Sequence, residues 1–232
     1  SRCPREGRPE HQRDALIRTR DLPILTFDSS IGVIDYGGGN IRSLIKALET
    51  LGAPPRRVTS PDQVEDLDLV FFPGQGAFGD CMGKLEELDL VAALVEWIQA
   101  DKPFFGICIG YQLLFESSEE SPGVKGLSVF EGRVTRFPES DLKVPHMGGN
   151  SAVLNQPETA PWQGLGETPY FYYVHSYFPS LADSSLVAAE TEYGVQFTGA
   201  IQRGRLVATQ FHPEKSQKAG MKLIGNFLEQ HA

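Results

Sequence analysis

Residues 104–112 read Phe-Phe-Gly-Ile-Cys-Ile-Gly-Tyr-Gln, and this stretch sets the expectation for the fold class. A short apolar run that passes directly into a helix is typical of the strand-to-helix junctions of α/β proteins. Gly106 and Gly110 flank Cys108 at two residues on either side, as expected for a tight turn where neighbouring strands leave little room for a Cβ atom. The stretch therefore has the pattern of a nucleophile elbow, with Cys108 as the reactive side chain.

Strand-then-helix units repeat along the first half of the chain. Each predicted strand is a short apolar run, and each predicted helix has apolar residues at helical spacing. The three units comprise residues 31–35 and 41–48, residues 69–72 and 88–100, and residues 104–107 and 111–116. Successive units of this kind predict a parallel sheet that is covered by helices on both faces.

The second half of the chain has a different pattern after Ser117, with shorter apolar runs separated by turn residues. Five of these runs are predicted strands, at residues 127–130, 132–137, 170–174, 185–190 and 206–211. A closing amphipathic helix is predicted around residues 221–228, where apolar side chains recur at helical spacing. The expected fold class is therefore α/β, with a mixed, mostly parallel central sheet flanked by helices and a β-rich second half.

The composition is that of a chain that forms one globular domain. Of the 232 residues, 41% are hydrophobic and 22% are charged, which provides enough apolar material for a core and differs from the profile of a disordered chain. The longest apolar runs are far shorter than the roughly 18–20 residues that cross a bilayer. We therefore expect no integral membrane segment.

The net charge of −9 is unevenly distributed along the chain. Residues 23–232 carry 15 of the 21 basic residues and 26 of the 30 acidic residues. Because nucleic-acid binding depends on Lys and Arg side chains that neutralise phosphates, this acidic body predicts no nucleic-acid partner.

Neither the cysteine nor the histidine spacing indicates a metal site. The three cysteines, Cys3, Cys81 and Cys108, form no Cys-x-x-Cys motif, so a disulfide framework and a cysteine zinc site are both unexpected. His146 and His175 have no cluster of further ligands beside them in the sequence. We therefore predict no metal or other cofactor and a reducing, cytoplasmic location.

Residues 37–39 form a Gly-Gly-Gly run between a predicted strand and a predicted helix, a position that also suits a phosphate-binding loop. Arg42 occupies the place of the third glycine of a dinucleotide-binding motif, and no Gly-Lys-Ser/Thr sequence occurs. We interpret the run as a structural turn.

Residues 1–30 are poor in periodic apolar residues, rich in arginine and interrupted by proline. A transit peptide is also Arg-rich but avoids acidic residues, whereas four acidic residues occur within residues 1–22. We therefore predict a flexible N-terminal extension over residues 1–30 and a single folded domain over residues 31–232.

A base for the predicted nucleophile is found in residues 210–216, which read Gln-Phe-His-Pro-Glu-Lys-Ser at the end of the last predicted strand. In an extended strand end, His212 and Glu214 point to the same side, so that the carboxylate can orient the imidazole. An imidazole held in this way accepts the proton of a cysteine thiol. An isolated cysteine in an apolar strand is otherwise most often an inert part of the core. Together the two segments predict a catalytic triad of Cys108, His212 and Glu214.

With the patterns Gly-x-Cys-x-Gly-x-Gln at 106–112 and His-Pro-Glu at 212–214, the sequence resembles the class I glutamine amidotransferases. Within that family it is most similar to the glutaminase subunits of imidazole glycerol phosphate synthase. The similarity covers residues 31–230 and rests on the segments IDYGGGNIRS (34–43), PGQGAFGD (73–80), KVPHMGGN (143–150), YVHSY (173–177) and QFHPEKS (210–216).

This resemblance implies a flavodoxin-like fold and a chemistry in which Cys108 attacks the carboxamide of glutamine, forms a thioester and releases ammonia. His212 then serves as the base and acid, and Glu214 holds its imidazole. The resemblance also implies oxyanion donors at Ile109, Gly74, Gln75 and Gly76, and residues that hold the substrate glutamine at Gln112, His175, Ser176 and Tyr177.

The resemblance further implies a partner, a (β/α)₈ cyclase subunit that forms a heterodimer with the glutaminase. Such a cyclase receives ammonia through an internal passage and makes imidazole glycerol phosphate and AICAR in histidine biosynthesis. Free ammonia is mostly protonated in neutral water and is then no longer a nucleophile. A glutaminase of this type is therefore expected to act beside an acceptor enzyme.

Two positions depart from the family pattern. Gln75 stands where the family usually has a small apolar residue, and Gly149 stands where it usually has an aromatic residue. We expect the triad chemistry to be retained and the coupling to the partner to be altered, since an aromatic anchor contributes more to an interface than most contacts.

Two alternatives stay open. One is a stand-alone γ-glutamyl hydrolase, in which the Pro-His-Met-Gly segment at 145–148 would be missing. The other is a non-catalytic regulatory or scaffold subunit, against which the intact triad argues.

Overall fold

The structure is a computed structural model that describes residues 27–38 and 41–232. Most of the predicted N-terminal extension lies outside the described residues, so the division at residue 30 stays a prediction. The described strands are β1 (Ile31–Ile34), β2 (Arg56–Val58), β3 (Leu69–Phe72), β4 (Phe104–Ile107), β5 (Phe115–Ser118), β6 (Phe130–Arg136), β7 (His146–Ser151), β8 (Val153–Leu154), β9 (Tyr170–His175), β10 (Tyr177–Leu181), β11 (Val187–Glu192), β12 (Gln196–Arg203) and β13 (Leu206–Thr209). The described helices are α1 (Ile41–Thr50), α2 (Asp62–Glu65), α3 (Phe78–Glu87), α4 (Leu90–Gln99), α5 (Ile109–Gln112) and α6 (Gln217–His231), with short 3₁₀ helices at Ser184–Leu186 and Pro213–Lys215.

An eight-stranded sheet forms the centre of the fold, in the order β2-β1-β3-β4-β13-β12-β11-β8. The strands from β2 to β13 in this order run parallel, and β12, β11 and β8 continue the sheet in antiparallel pairs. The register between β4 and β13 places Ile107 beside Thr209. This mixed, mostly parallel sheet confirms the predicted fold class.

The inner parallel strands of this sheet are buried on both sides because helices cover both of its faces. In β3, Phe71 and Phe72 are both fully buried, since successive side chains of a strand point to opposite faces. Phe71 packs against Phe227 of α6 on one face, with ring centroids 5.9 Å apart. Phe72 belongs to the apolar cluster of the other face, together with Leu85 of α3 and Leu94 of α4.

Three neighbouring parallel strands, β3, β4 and β13, end at the same edge of the sheet. The loop that begins at Pro73 follows β3, Cys108 follows β4, and Gln210 follows β13. In open α/β sheets, ligands bind outside the carboxyl ends of the strands, where such loops meet. The topology thus brings the segments that carry the predicted oxyanion donors, nucleophile and base to one edge.

Two smaller sheets form the β-rich second half beside the central sheet. One contains β10, β6 and β5, and in the other β7 pairs with β9. β9 ends at His175 and β10 begins at Tyr177, so Ser176 is the single residue between these two strands. This junction brings three of the predicted glutamine-binding residues next to one another.

The helix predicted at residues 111–116 is wrong beyond its first turn. α5 ends at Gln112, and the chain enters β5 at Phe115, which pairs with Phe130 of β6. The side chain of Phe115 is fully buried and packs against the rings of Tyr111 and Phe130. Pairing with a distant strand overrides the local helical pattern of this segment.

Other elements differ from the prediction where the local signal is weak. The strand predicted at 127–130 begins only at Phe130, and the strand predicted at 185–190 begins with a 3₁₀ turn. The sequence pattern also fails to predict α3 and β7. α3 contains Gly79 and Gly83, which are poor helix formers, and β7 contains two adjacent glycines, which are depleted in strands.

Candidate active site

Cys108 occupies the sharp turn between β4 and α5. Its backbone has φ 54° and ψ −104°, a conformation that is rare for a residue other than glycine and is often found at functional sites. The N–H group of Cys108 donates to the carbonyl of Thr209 at 2.7 Å, and its carbonyl accepts from the N–H groups of Tyr111 and Gln112 at 3.1 Å each. These bonds hold the strained turn on both sides, as the nucleophile-elbow pattern predicts.

The two flanking glycines are required by close packing. A Cβ atom at Gly106 would lie 2.9 Å from the carbonyl oxygen of Gly110 and 3.2 Å from the Cβ of Ala208. A Cβ atom at Gly110 would overlap the carbonyl oxygen of Phe72 in β3. Because the nearest obstacle at each glycine is a carbonyl oxygen of the backbone, it cannot move aside as the end of a flexible side chain can.

We expect the Gly110→Ala variant to lose about 2–3 kcal/mol of unfolding free energy, because the added methyl group overpacks a backbone contact. Chemical denaturation measures this loss. Gly83→Ala is the matched control: Gly83 is an α3 residue with open space around its Cβ position, and alanine there is expected to stabilise the protein by about 0.5–1 kcal/mol. Equal stability of the two variants would contradict the packing argument.

His212 and Glu214 contact each other in a buried position. The Nδ1 atom of His212 lies 2.8 Å from Oε1 of Glu214, and both side chains are almost completely buried. The prediction that an extended strand brings them to one side is wrong. β13 ends at Thr209, and a 3₁₀ turn over Pro213–Lys215 follows His212. A carboxylate two residues after the imidazole can reach it because the turn folds the chain back.

The backbone of His212 is fixed by contacts with β9. Its N–H group donates to the carbonyl of Tyr172 at 2.8 Å, and its carbonyl accepts from the hydroxyl of Ser216 at 2.6 Å. The same hydroxyl oxygen accepts from the N–H group of Tyr172 at 2.9 Å. The imidazole therefore sits on a segment that is bonded to two other parts of the chain.

The electrostatic environment of His212 favours its charged form. Burial alone lowers the pKa of this imidazole, but the negative charges of Cys108 and Glu214 and the hydrogen bond to Glu214 outweigh burial and raise the pKa to about 10. Nδ1 donates to Glu214, so Nε2 is the nitrogen that is left to exchange a proton with Cys108. Nε2 is buried and has no hydrogen-bond partner of good geometry among the described residues. An imidazolium in this place stabilises a thiolate.

Two buried glutamine side chains connect Cys108 with β10. The Nε2 group of Gln112 donates to the carbonyl of Tyr177 at 2.9 Å and to Oε1 of Gln210 at 3.1 Å. The Nε2 group of Gln210 in turn donates to the sulfur of Cys108 at 3.7 Å. Sequence reasoning assigned no role to Gln210. Its signal was a polar residue at the end of an otherwise apolar run, and such residues are buried only when they are hydrogen-bonded.

A cavity of about 350 Å³ opens at this edge of the sheet. Its walls include nine of the predicted site residues: Cys108, His212, Ile109, Gln75, Gly76, Gln112, His175, Ser176 and Tyr177. The other two predicted residues lie directly behind the wall. Glu214 contacts His212, and Gly74 packs so closely on Ile109 that a Cβ atom would overlap its side chain.

The predicted oxyanion loop is held in place from behind. Gly76 adopts φ +126°, a backbone angle that residues with a side chain rarely adopt. A Cβ atom at Gly74 would overlap the hydroxyl of Tyr36. The thiol of buried Cys81 lies 3.7 Å from that hydroxyl and 3.9 Å from the carbonyl of Gln75. Ile109 is the first residue of α5, where a helix leaves its N–H groups without an internal partner. The loop and the helix start thus offer backbone donors beside Cys108.

Glu120 also lines the cavity, and sequence reasoning missed it. Its Oε2 atom accepts from the N–H group of Phe78 at 2.8 Å, at the start of α3. The residue lies in a loop after β5, in no recognisable motif, so no local signal marks it. A carboxylate in this wall is suited to bind a positively charged group of a ligand.

The two departures from the family pattern lie in different places. Gln75 lies in the wall of the reaction cavity, whereas Gly149 lies on β7 and pairs with Tyr172 of β9. Gly149 lines a second, wide-open cavity of about 500 Å³ at the surface, where its Cβ position meets only Tyr170, at 3.9 Å. Exposed Met147 lies beside it.

Within residues 27–38 and 41–232, no cluster of three or more His, Cys, Asp or Glu side chains is arranged to hold a metal ion. His146 and His175 instead contact each other, with 3.1 Å between Nδ1 of the first and Nε2 of the second. In the same ranges, no helix is both long and apolar enough to span a bilayer.

A family model for class I glutamine amidotransferases matches residues 32–231. The chain belongs to the class I glutamine amidotransferase family. This amidotransferase is 48% identical over 213 residues to the imidazole glycerol phosphate synthase subunit HisH of Aromatoleum aromaticum, with 86% of this chain and 98% of the relative covered. It is 46% identical over 209 residues to the HisH subunit of Methylococcus capsulatus, with 86% and 96% covered. The resemblance inferred from the sequence motifs is confirmed.

Solved structures share the fold of the amidotransferase. A crystal structure of a glutamine amidotransferase superposes with a TM-score of 0.65 at 22% identity, covering 86% of this chain and 97% of that chain. The PurLQS structure from Thermotoga maritima superposes with a TM-score of 0.65 at 18% identity, covering 88% and 99%. At these identities the likeness shows the fold alone.

Proposed function

We propose that this amidotransferase is the glutaminase subunit of an imidazole glycerol phosphate synthase and hydrolyses L-glutamine to glutamate and ammonia for histidine biosynthesis. One observation carries the proposal. The thiol of Cys108, the imidazole of His212 and the backbone of the Gln75–Gly76 loop all face one cavity of about 350 Å³. The similarity to HisH subunits over nearly their whole length supports the same function.

The reaction proceeds through two acyl transfers. The sulfur of Cys108 attacks the carboxamide carbon of glutamine, and the proton held on His212 passes to the departing nitrogen, so that ammonia leaves and a thioester remains. Water then attacks the thioester, His212 takes its proton, and glutamate leaves as the sulfur is released. Glu214 keeps Nδ1 of the imidazole engaged throughout, so that Nε2 always faces the reacting atoms.

Each tetrahedral intermediate carries a negative oxygen, which backbone N–H groups stabilise. We assign this task to Ile109 and to the loop of Gly74, Gln75 and Gly76, since both lie beside Cys108. One such donor contributes about 10²- to 10³-fold in rate. The contacts of Tyr36 and Cys81 hold this loop in one conformation. Donors that are held in place stabilise the negative oxygen more effectively than mobile donors.

Glutamine is held by its amino-acid end at the junction of β9 and β10. Both N–H groups of the Gln112 amide are engaged by Tyr177 and Gln210, so its Oε1 atom is left to accept from the substrate. Ser176 and His175 line the same cavity, and so does Glu120, whose carboxylate we assign as the partner for the α-ammonium group.

The Glu120→Gln variant is expected to raise KM for glutamine about 10- to 100-fold, because a hydrogen bond to a charged group is lost while the acceptor for Phe78 is kept. Steady-state kinetics measure KM. Glu119→Gln is the matched control, since Glu119 is a neighbouring carboxylate that bonds Arg136 and Arg133 instead. Equal KM values in the two variants would show that Glu120 does not bind the substrate.

The ammonia product requires an acceptor, and we assign that role to a (β/α)₈ cyclase subunit in a heterodimer. The relatives are named as subunits of a synthase, which implies such a partner for them. The reaction also requires that Cys108 stays a free thiol, as it is here. A reducing cytoplasm suits this requirement.

The proposed function is tested by assaying the full chain with and without its cyclase subunit. We expect glutamate release in the complex, and covalent labelling of Cys108 by a diazo-ketone analogue of glutamine. Absence of labelling even in the complex would favour a scaffold subunit. Full activity without the partner, extending to γ-glutamyl peptides, would favour a stand-alone γ-glutamyl hydrolase.

The Glu214→Gln variant is expected to lower kcat/KM about 10- to 100-fold, because a charge-assisted hydrogen bond to His212 is weakened. The Glu214 carboxylate raises the pKa of His212, and the active imidazole must carry a proton to release ammonia. Its removal therefore lowers that pKa, and the alkaline limb of the pH profile of kcat/KM moves to lower pH. The titration of the substrate glutamine affects the wild-type and the variant profiles equally. An alkaline limb at the same pH in both profiles would therefore contradict the role assigned to Glu214.

A further inference from the structure

His146 is a buried histidine that the mechanism above does not use. Its imidazole is stacked between the rings of Tyr173 and Tyr193, with centroid distances of 4.8 and 4.0 Å. Its Nδ1 atom lies 3.1 Å from Nε2 of His175, which lines the reaction cavity. Two imidazoles in such contact must share one proton, and the neighbouring groups decide which nitrogen carries it.

The group that faces Nδ1 of His175 decides which nitrogen of this ring carries the proton. Nδ1 of His175 lies 2.8 Å from the carbonyl oxygen of Tyr177, and a carbonyl can only accept. Nδ1 therefore carries the proton. In a neutral imidazole Nε2 is then an acceptor, so Nδ1 of His146 must be the donor between the two rings.

The opposite end of the pair gives the same assignment independently. The Nδ2 group of Asn150 donates to the carbonyl of Glu192 at 2.8 Å, and its Oδ1 accepts from the N–H group of Ser151 at 2.8 Å. The amide orientation of Asn150 is thus fixed without reference to His146. Its Nδ2 group lies 3.4 Å from Nε2 of His146, so this nitrogen is an acceptor and Nδ1 again carries the proton.

Both imidazoles are neutral at physiological pH. Burial lowers the pKa of His146 to about 4. Burial also lowers the pKa of His175, to about 3, and outweighs the bond to the Tyr177 carbonyl, which raises it. Because both rings are neutral and their protons are assigned, the hydrogen bonds form a chain with one direction. Asn150 donates to His146, and His146 donates to His175.

The chain continues to the nucleophile. The carbonyl of Tyr177 accepts both from His175 and from Nε2 of Gln112, and this second bond sets which end of the Gln112 amide faces the cavity. Gln112 then requires Oε1 of Gln210 as its acceptor, which leaves the Nε2 group of Gln210 to face Cys108. A reversal of one proton in the histidine pair would place two acceptors opposite each other at the Tyr177 carbonyl.

We propose that His146 is a positioning residue for glutamine hydrolysis: it donates a hydrogen bond to His175 and so holds the His175 ring, whose Nδ1–H in turn holds the Tyr177 carbonyl in place as the acceptor for the Gln112 amide that receives glutamine. The proposal rests on the proposed glutaminase function, because Gln112 matters only if glutamine is bound. The chain begins at the wall of the open cavity around Gly149, to which both Asn150 and His146 contribute, and ends at the reacting sulfur.

The proton assignment is tested on the unaltered full chain. Long-range ¹H–¹⁵N correlation spectra of the ¹⁵N-labelled protein distinguish the two neutral tautomers of each histidine. We expect His146 and His175 to show the Nδ1–H tautomer and to keep it between pH 5 and pH 8. An Nε2–H tautomer on His175, or a protonated His146 within this range, would overturn the proposal whether or not the chain hydrolyses glutamine.

The effect on the reaction is tested with three variants in the complex with the cyclase subunit. His146→Phe keeps a ring between the two tyrosines and removes the donor, and we expect KM for glutamine to rise about three- to tenfold with kcat changed by less than about twofold. His146→Asn places an amide near the position of Nδ1 and is expected to restore most of the wild-type KM. His231→Phe, in which a histidine at the end of α6 outside both cavities is lost, is expected to leave KM unchanged.

Three results would overturn the proposal. The first is an unchanged KM in His146→Phe, and the second is an equal loss in the Phe and Asn variants. The third is a fall in kcat with KM unchanged, because the bond is proposed to act on substrate binding alone. If the wild-type complex releases no glutamate, the proposed function fails, and the tautomer measurement still tests the histidine chain separately.

Discussion

The Cys108→Ser variant is expected to lose glutamine hydrolysis by about 10⁴-fold or more while keeping its fold. A serine hydroxyl is a far weaker acid than a thiol, so the charge of His212 and the donor of Gln210 no longer produce an effective nucleophile. The change removes no packing, because the two side chains differ by a single atom. Glutamate release in the presence of the cyclase subunit measures the rate.

Supplying ammonia separates this loss from a failure to assemble. The variant in complex with the cyclase is expected to form the cyclised product from added ammonium salt at high pH, where free ammonia is abundant, and to fail with glutamine. The diazo-ketone adduct is expected to disappear with Cys108, since buried Cys81 lies behind the loop and not in the cavity wall. Glutamine hydrolysis within tenfold of the wild-type rate would rule out Cys108 as the nucleophile.

The His212→Asn variant is expected to lower kcat about 10³-fold, within the range by which a positioned acid and base accelerate proton transfer. An asparagine amide can still donate to Glu214, so the local hydrogen bond is retained and only the titrating nitrogen is lost. The remaining activity is expected to lack the pH dependence that the raised pKa of His212 gives to the wild-type enzyme.

His231→Asn is the control for this substitution, since His231 lies at the end of α6 beside Arg205 and does not line the reaction cavity. Its kcat is expected to match that of the wild-type enzyme. A His212→Asn variant that keeps both its rate and its pH profile would show that another group exchanges the proton with Cys108.

Much of the site could be predicted because its key residues are marked by local patterns. The glycines around Cys108 reflect backbone packing within one strand-turn-helix segment, and the turn has the conformation that this pattern predicts. His212 and Glu214 are neighbours in the chain, so they meet under more than one local geometry. The contact predicted between His212 and Glu214 is therefore present although the chain forms a 3₁₀ turn where a strand was expected.

The remaining features depend on contacts between distant parts of the chain. Phe115 leaves the helical pattern because β6 pairs with it, and nothing in the local sequence shows that pairing. Glu120 reaches the cavity because its loop folds back over the start of α3. The bond between His146 and His175 arises from the pairing of β7 with β9, and β7 has no strand signal in its sequence. Such residues gain their roles only after the sheets have formed.

The position of β13 between β4 and β12 links the completion of folding to the onset of activity. Without β13, the four strands from β2 to β4 have no bonded link to β12, β11 and β8, and Thr209 is absent as the anchor for the backbone of Cys108. The segment that joins the two parts of the sheet also leads directly to His212, the proposed base. A nascent chain that has not yet emerged past Glu214 lacks the imidazole and carboxylate that are proposed to act on Cys108, so we expect no glutamine hydrolysis before synthesis has passed this point.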